Sequence, residues 1–300
     1  MIKIENIEIC GWKPAIRGMR NPMNSWNKSD SVIGHCMDEV DCKDCPHGSC
    51  WECNNFGDYI TKIGDKDLEL MLNLREAGTD HRKFMRMIVV YADITAPLYW
   101  WKEYDTYKVG TVANSCSTMH KIADKKFTID GFSHEKLIDF EIIGSLECDD
   151  KETEFEQIVT TKMTLDSVIQ DLNLLREKYL ETKEKKYWYA MIQLLPTSYN
   201  QKRTVMLNYE VLANIYKSRK NHKLDEWVGF CKWIETLPHS EIITGRYKIF
   251  KCARCGKTER VLDSNLEEID NWSDLNGVCL CPECTEAYSK WFKEGNNDGN

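Results

Sequence analysis

The sequence predicts an α+β fold in which helices dominate, with one Cys-rich insert and a second Cys-rich segment near the C-terminus. Three observations carry this. The runs "IKIENIEI" and "MRMIVVYADIT" alternate or are β-branched and read as strands. Longer stretches between residues 58 and 238 repeat apolar side chains at helical spacing. Fourteen cysteines fall mostly in two dense segments, several of them spaced C-x-x-C. No internal repeat, G-x-G-x-x-G or Walker A sequence occurs, which excludes Rossmann and P-loop folds.

The elements follow in order. "IKIENIEI" is a strand, and "PAIRGMRNP" comes after it. "DKDLELMLNLREAG" is a helix stopped by Gly78. "MRMIVVYADIT" is a strand, and Pro97 fits the first turn of a helix through Trp100 and Trp101. In "TLDSVIQDLNLLREKYLETKEKKYWYAMIQLLP" apolar residues recur at 165, 168, 169, 172, 175 and 179, an amphipathic helix with Thr164 as N-cap and Pro196 as its end. "RTVMLNYEVLANIYKSRK" and "KLDEWVGFCKWIETLP" read as two further helices. Trp100, Trp101, Trp188, Trp227 and Trp233 sit at helical spacing and read first as core or subunit interface.

Length and composition allow one large core or two smaller ones: 300 residues, 42% of them hydrophobic. A net charge of −8 does not mark the whole molecule for nucleic acid. No apolar run approaches the ~18 residues of a membrane span. The N-terminus also lacks a basic region followed by an apolar one. The expectation is a cytoplasmic protein with no membrane partner.

In such a compartment C-x-x-C spacing points to metal more than to disulfides. Cys252 and Cys255 in "CARC", with Cys281 and Cys284 in "CPEC", form two knuckles that suit a zinc ribbon over residues 241–293. Cys279 is a spare thiol beside them. "YKIFKCARCGKTERV" suits the ribbon's hairpin, and its basic residues leave nucleic-acid binding open. The insert at 34–57 carries Cys42, Cys45, Cys50 and Cys53 as C-x2-C-x4-C-x2-C. Zinc is the first choice there, with an iron–sulfur cluster or disulfides as alternatives. Residues 1–33 and 58–238 remain as the core, and 294–300 as a polar, disordered tail.

Within the core, "LREAGTDHRKFMRMIVVYADITAPLYWWKEYDTYKVGTVANSCSTM" runs helix, strand, "AP", an aromatic-rich helix and a polar loop. "AIRGMR" precedes it, and "LLPTSYNQKRTVMLNYEVLANIYKSRKNH" follows. In this order the blocks resemble the flavin-dependent thymidylate synthase family, the thymidylate synthase complementing proteins. The resemblance implies a homotetramer on an α/β core, with FAD at subunit interfaces and dUMP against the flavin. It further implies methylenetetrahydrofolate as one-carbon donor and NADPH as hydride source. It makes Arg86, Tyr107, Lys108, Asn114, Asn208, Asn214, Arg219 and His222 candidates for cofactor or nucleotide binding. A thiol at Cys116 could add to C6 of a pyrimidine. The family's Arg-His-Arg is Thr106, Tyr107 and Lys108 here, its loop Glu is Asn114, its loop Ser is Cys116, and its later Arg is Thr118. An Arg expected after Asn208 is Glu210. Bidentate donors are therefore lost, and the family's usual dUMP methylation does not carry over. Two readings stand: a divergent flavoprotein acting on a nucleotide or pyrimidine, or a catalytically silent zinc-containing relative that binds nucleic acid or protein. The combination also resembles proteins of phages and prophages.

Overall fold

A computed structural model describes residues 2–35, 59–148, 151–245, 247–262, 272–275 and 278–295. The knot predicted at Cys42, Cys45, Cys50 and Cys53 lies outside the described residues, as does the tail beyond residue 295.

β1 (Lys3–Cys10) leads through Gly11 into α1 (Trp12–Arg20). Gly11 holds φ at 93°, and a Cβ there would stand 1.9 Å from the Met87 carbonyl oxygen, so only glycine fits. α1 buries Trp12, Ala15, Ile16 and Met19, the i, i+3, i+4, i+7 stripe of an amphipathic helix. β2 (Val32–His35) and β3 (Tyr59–Lys62) then pair antiparallel. α2 (Asp65–Glu76) ends just before Gly78, whose φ of 104° is the predicted stop.

β4 (Val89–Pro97) alternates strictly, with Val90, Ala92, Ile94 and Ala96 inward and Tyr91, Asp93 and Thr95 outward. It turns at Pro97, the N-cap, into α3 (Leu98–Tyr104). β5 (Val112–Ser115) is a short edge strand. A hairpin of β6 (Asp139–Cys148) and β7 (Lys151–Thr160) follows, and then α4 (Thr161–Thr182) and α5 (Lys185–Leu194). β8 (Asn200–Asn208) returns to the sheet, and α6 (Tyr209–Arg219), α7 (Asp225–Glu235) and α8 (Glu241–Thr244) finish the body. The C-terminal segment holds β9 (Tyr247–Lys251), β10 (Thr258–Leu262), β11 (Ser273–Leu275), β12 (Val278–Leu280) and α9 (Pro282–Gly295).

The main sheet has the order β1-β4-β8-β5 and every neighbour is antiparallel. One core joins its inner face to α1, α2, α3, α6, α7 and α8. Trp100, Trp101 and Trp227 are fully buried there, which agrees with their reading as core. Truncating a core ring of this size costs about 3–5 kcal/mol. A second core packs Phe127 and Phe132 against Leu165, Ile169 and Leu172 of α4 and Met191 of α5, with Trp188 partly buried at its edge.

Three expectations need correction. "RTVMLNYEVLANIYKSRK" is not one helix: its first half is β8, which buries Gln201, Val205 and Leu207 at period two, and Asn208 caps α6. The run from Thr164 to Pro196 is two helices, because Lys183 takes a left-handed φ of 58° between α4 and α5. Thr160 rather than Thr164 is the N-cap of α4, since β7 runs straight into it. The Thr164 hydroxyl instead donates back to the Thr160 carbonyl at 3.3 Å.

One buried charge pair organises the N-terminal third. Arg20 Nε donates to Asp67 Oδ1 at 2.6 Å, with Asp67 fully buried. Ser29 Oγ and Ser31 Oγ each donate to Asp67 Oδ2 at 2.6 Å, and the amides of Asp30 and Ser31 add 3.2 and 3.1 Å contacts. Burial alone would raise this carboxyl, but the hydrogen bonds from Ser29, Ser31 and Arg20, with the arginine's charge, hold it below the ordinary range.

Candidate functional site

Most of the nucleotide-site candidates fall into two groups, one at each end of α6. At the C-terminal end of α6, Arg219 Nη1 donates to Glu103 Oε2 at 2.8 Å and Arg219 Nε to the Tyr107 hydroxyl at 3.0 Å. The guanidinium lies 4.8 Å from the Trp227 ring centroid. Trp227 Nε1 also donates to Glu103, at 2.9 Å. His222 Nε2 sits 2.8 Å from Arg219 Nη1. Tyr107, Arg219 and His222 thus come together, with Glu103 as a fourth member that the sequence did not single out. Its position on the polar face of α3, four residues before Tyr107, was the available signal.

At the N-terminal end of α6, Glu210 is the hub. Arg82 Nε reaches it at 3.1 Å and Arg86 Nε forms a closer ion pair with it. Arg82 Nη2 also donates to Asn214 Oδ1 at 3.3 Å. Burial would raise the Glu210 carboxyl, but hydrogen bonds and charge from Arg86 and Arg82 outweigh it and lower it. The acid at 210 is therefore compensated by two arginines on the turn before β4. Asn208 sits beside this group. Its Oδ1 accepts from the Val211 amide at 3.0 Å, and its Nδ2 donates to the Gly110 carbonyl at 3.3 Å, which ties the loop after α3 to the helix cap. Lys108 and Asn114 are exposed, and Lys108 has no ion-pair partner among the described residues.

Cys116 lies in neither group. It follows β5, with its amide bonded to the Lys202 carbonyl at 2.9 Å and its carbonyl to Gln201 Nε2 at 2.8 Å. It lines a cleft of about 480 Å³ with Lys121, Asp124, Lys125, Lys126 and Lys202, and with Phe127, Phe132 and Tyr199 on its apolar side. Tyr199 packs edge-on to both phenylalanines, at 6.2 and 5.5 Å between ring centroids. Desolvation raises the Tyr199 hydroxyl. Lys202 is paired with Asp93 and Lys121 with Asp124, each at 3.0 Å. Lys125 and Lys126 are exposed and have no ion-pair partner among the described residues. The cleft is the right size for a small ligand, with aromatic rings on one side and two lysines that have no ion-pair partner among the described residues.

Far from these groups in sequence, the thiols of Cys252, Cys255, Cys281 and Cys284 converge, with all four sulfurs within 4.8 Å of one another. Cys279 is not among the four.

The sheet with α1, α3 and α6 against it is a thymidylate synthase X-like fold. One solved structure with that fold is thymidylate synthase X from Helicobacter pylori with FAD and dUMP, similar to this chain at a TM-score of 0.50 and 12% identity over 82% of this chain and 98% of that one. A second, the flavin-dependent thymidylate synthase ThyX of Helicobacter pylori complexed with FAD and dUMP, gives 0.48 and 14% over 80% and 99%. No protein-family model matches the chain. No curated protein matches it in sequence.

Proposed function

We propose that the protein binds a phosphorylated pyrimidine or similar flat-ring nucleotide in the cleft beside Cys116. The observation that carries this is the placing of Lys125 and Lys126, which have no ion-pair partner among the described residues, beside the Tyr199, Phe127 and Phe132 rings of one cleft. A phosphate needs cationic donors and a base needs a flat apolar surface, and both stand here on one short loop and the start of β8. The fold supports the reading, since the thymidylate synthase X structure it resembles was solved with dUMP and FAD.

A flavin dinucleotide fits the chain's residues less well. Arg86 and Arg219, the guanidiniums assigned to anionic groups, are each matched by a carboxylate within the protein. Asn208 is committed to the α6 cap and Gly110, and Asn214 to Arg82. Lys108 and Asn114 remain for a diphosphate. A mononucleotide is therefore the primary ligand, and no step runs through a flavin.

Catalysis in this reading rests on Cys116. The Cys116 thiol would give its proton to solvent, and the resulting thiolate lone pair would form an S–C6 bond to a uracil-type ring. The C5=C6 π pair would move onto the C5–C4=O enolate, and a solvent proton would close C5. No redox partner is needed for that addition. Titration of the protein with dUMP, deoxyuridine, inorganic phosphate and FAD, followed by tryptophan fluorescence, tests the reading. dUMP binding well above deoxyuridine, lost in a Lys125→Ala/Lys126→Ala variant, is expected. Equal affinity for the nucleoside, or an unchanged variant, would overturn it.

A further inference from the structure

We propose that Cys252, Cys255, Cys281 and Cys284 bind one zinc ion as a tetrathiolate, and that this ion is the core of the C-terminal ribbon. The site is independent of the nucleotide reading, and no part of the thymidylate synthase X-like sheet contributes to it.

The geometry is that of a metal centre rather than of disulfides. Zinc–thiolate bonds of about 2.3 Å in a tetrahedron place sulfurs roughly 3.8 Å apart. The four sulfurs lie within 4.8 Å of one another, and Cys255 Sγ stands 3.6 Å from Cys281 Sγ. A disulfide would bring a pair to about 2.05 Å, yet all four are free thiols. Two hairpins deliver them. Cys252 follows β9, and Gly256, at φ 77°, returns the chain to β10. Cys281 follows β12, and Cys284 sits in the first turn of α9. The Ala253 amide donates to the Cys279 carbonyl at 2.9 Å and locks one knuckle to the other.

Backbone amides of Cys255, Cys281 and Arg254 point at the Cys252 sulfur, and the Cys284 amide points at Cys281. Such donors orient thiolate ligands of a metal. Binding exchanges four thiol protons for one dication and leaves a net charge of −2 on the centre. Lys251 and Arg254 stand exposed on the first knuckle and would offset that charge. Lys257 Nζ already holds Glu283 at 2.9 Å, so the carboxylate that accepts from the Cys281 thiol at 3.3 Å keeps a partner once that proton leaves.

Size supplies the second argument. Among the described residues the apolar cluster of this segment is Cys252, Leu280, Cys281 and Cys284, with Trp272 packed against it, so three of the four thiols lie at its centre. Small scaffolds of this kind often rely on a metal. Four protein ligands leave no open position, so the ion is structural and not a Lewis acid for substrate.

The test uses the full chain, purified without added metal. Elemental analysis should find one equivalent of zinc fewer in Cys252→Ser/Cys284→Ser than in the unaltered protein, and this difference excludes any metal held by the first Cys-rich insert. Cobalt(II) exchange should give tetrahedral d–d bands with thiolate charge transfer. Cys255→His should keep the metal and shift those bands, which keeps the test valid if the double variant fails to fold. Equal metal content in the double variant, an unshifted cobalt spectrum in Cys255→His, or four thiols oxidised in pairs would overturn the proposal.

Discussion

Arg219 Nη1 and Glu103 Oε2 are joined at 2.8 Å, so the most prominent cation of α6 is neutralised within its own chain. Glu103 also satisfies Trp227 Nε1, whose ring is fully buried. Glu103→Ala would leave the buried Trp227 indole N–H without an acceptor and the stacked Arg219 guanidinium without its carboxylate. The expected loss is about 1–3 kcal/mol in urea unfolding, for an unpaired buried donor. Arg219→Ala should also destabilise, while dUMP affinity changes less than about twofold. A large loss of affinity in Arg219→Ala would place the ligand at α6 instead of in the lysine cleft.

Glu210 replaces a residue that the family resemblance would make Arg, and it is held by Arg82 and Arg86. Glu210→Arg would set three guanidiniums together beside a helix N-terminus, where positive charge is disfavoured. We expect it to cost at least ~2 kcal/mol, and Arg82→Glu in the same chain to recover part of that. Additive effects of the two changes in thermal unfolding would argue against a shared charge cluster.

Breaking the buried pair in one direction should be severe. Arg20→Met leaves Asp67 buried without its cation, at an expected cost of about 3–5 kcal/mol. A double variant Arg20→Met/Asp67→Leu should be less destabilised than Arg20→Met alone. Equal or greater loss in the double variant would show that packing, not charge, dominates there.

Acid sensitivity follows from two lowered carboxyls. Asp67 lies below its ordinary value of 3.8, and Asp93 is lowered to about 2 by hydrogen bonds from Thr204, Asn6 and Lys202. Both pKa values are depressed on folding. Each contribution is therefore complete above the ordinary carboxylate range and lost as pH falls below it, for Asp93 as pH falls toward about 2. Stability in urea should stay level from pH 7 to 4.5 and fall steeply below. Asp93→Asn should flatten part of that fall.

Much of the scaffold was legible because its signals are local. The alternation of β4, the Pro97 turn into α3, Gly78 after α2 and the tryptophan spacing of α7 each sit within a few residues. The β8–α6 junction was missed because "VMLNYEVLANIY" is apolar enough for either period, and only pairing with β4 settles the strand. The β6–β7 hairpin was missed because acidic residues alternate through it and hide the strands. Of the candidate site, the Tyr107–Arg219–His222 contact was legible as a set of residues. The carboxylates that neutralise the arginines come from elsewhere in the chain and were not. The lysine cleft brings Tyr199 from far along the chain to the adjacent Lys125 and Lys126, and the run "HKIADKKF" just after Cys116 was its one local signal.

The central claim is that a nucleotide phosphate sits on Lys125 and Lys126. Isothermal titration of dUMP into the unaltered protein and into Lys125→Ala/Lys126→Ala tests it most directly. Two charge-assisted contacts at about 1.5–3 kcal/mol each predict at least a tenfold loss of affinity in the variant, together with a weaker dependence on salt. The same dissociation constant and salt dependence in both proteins would contradict it.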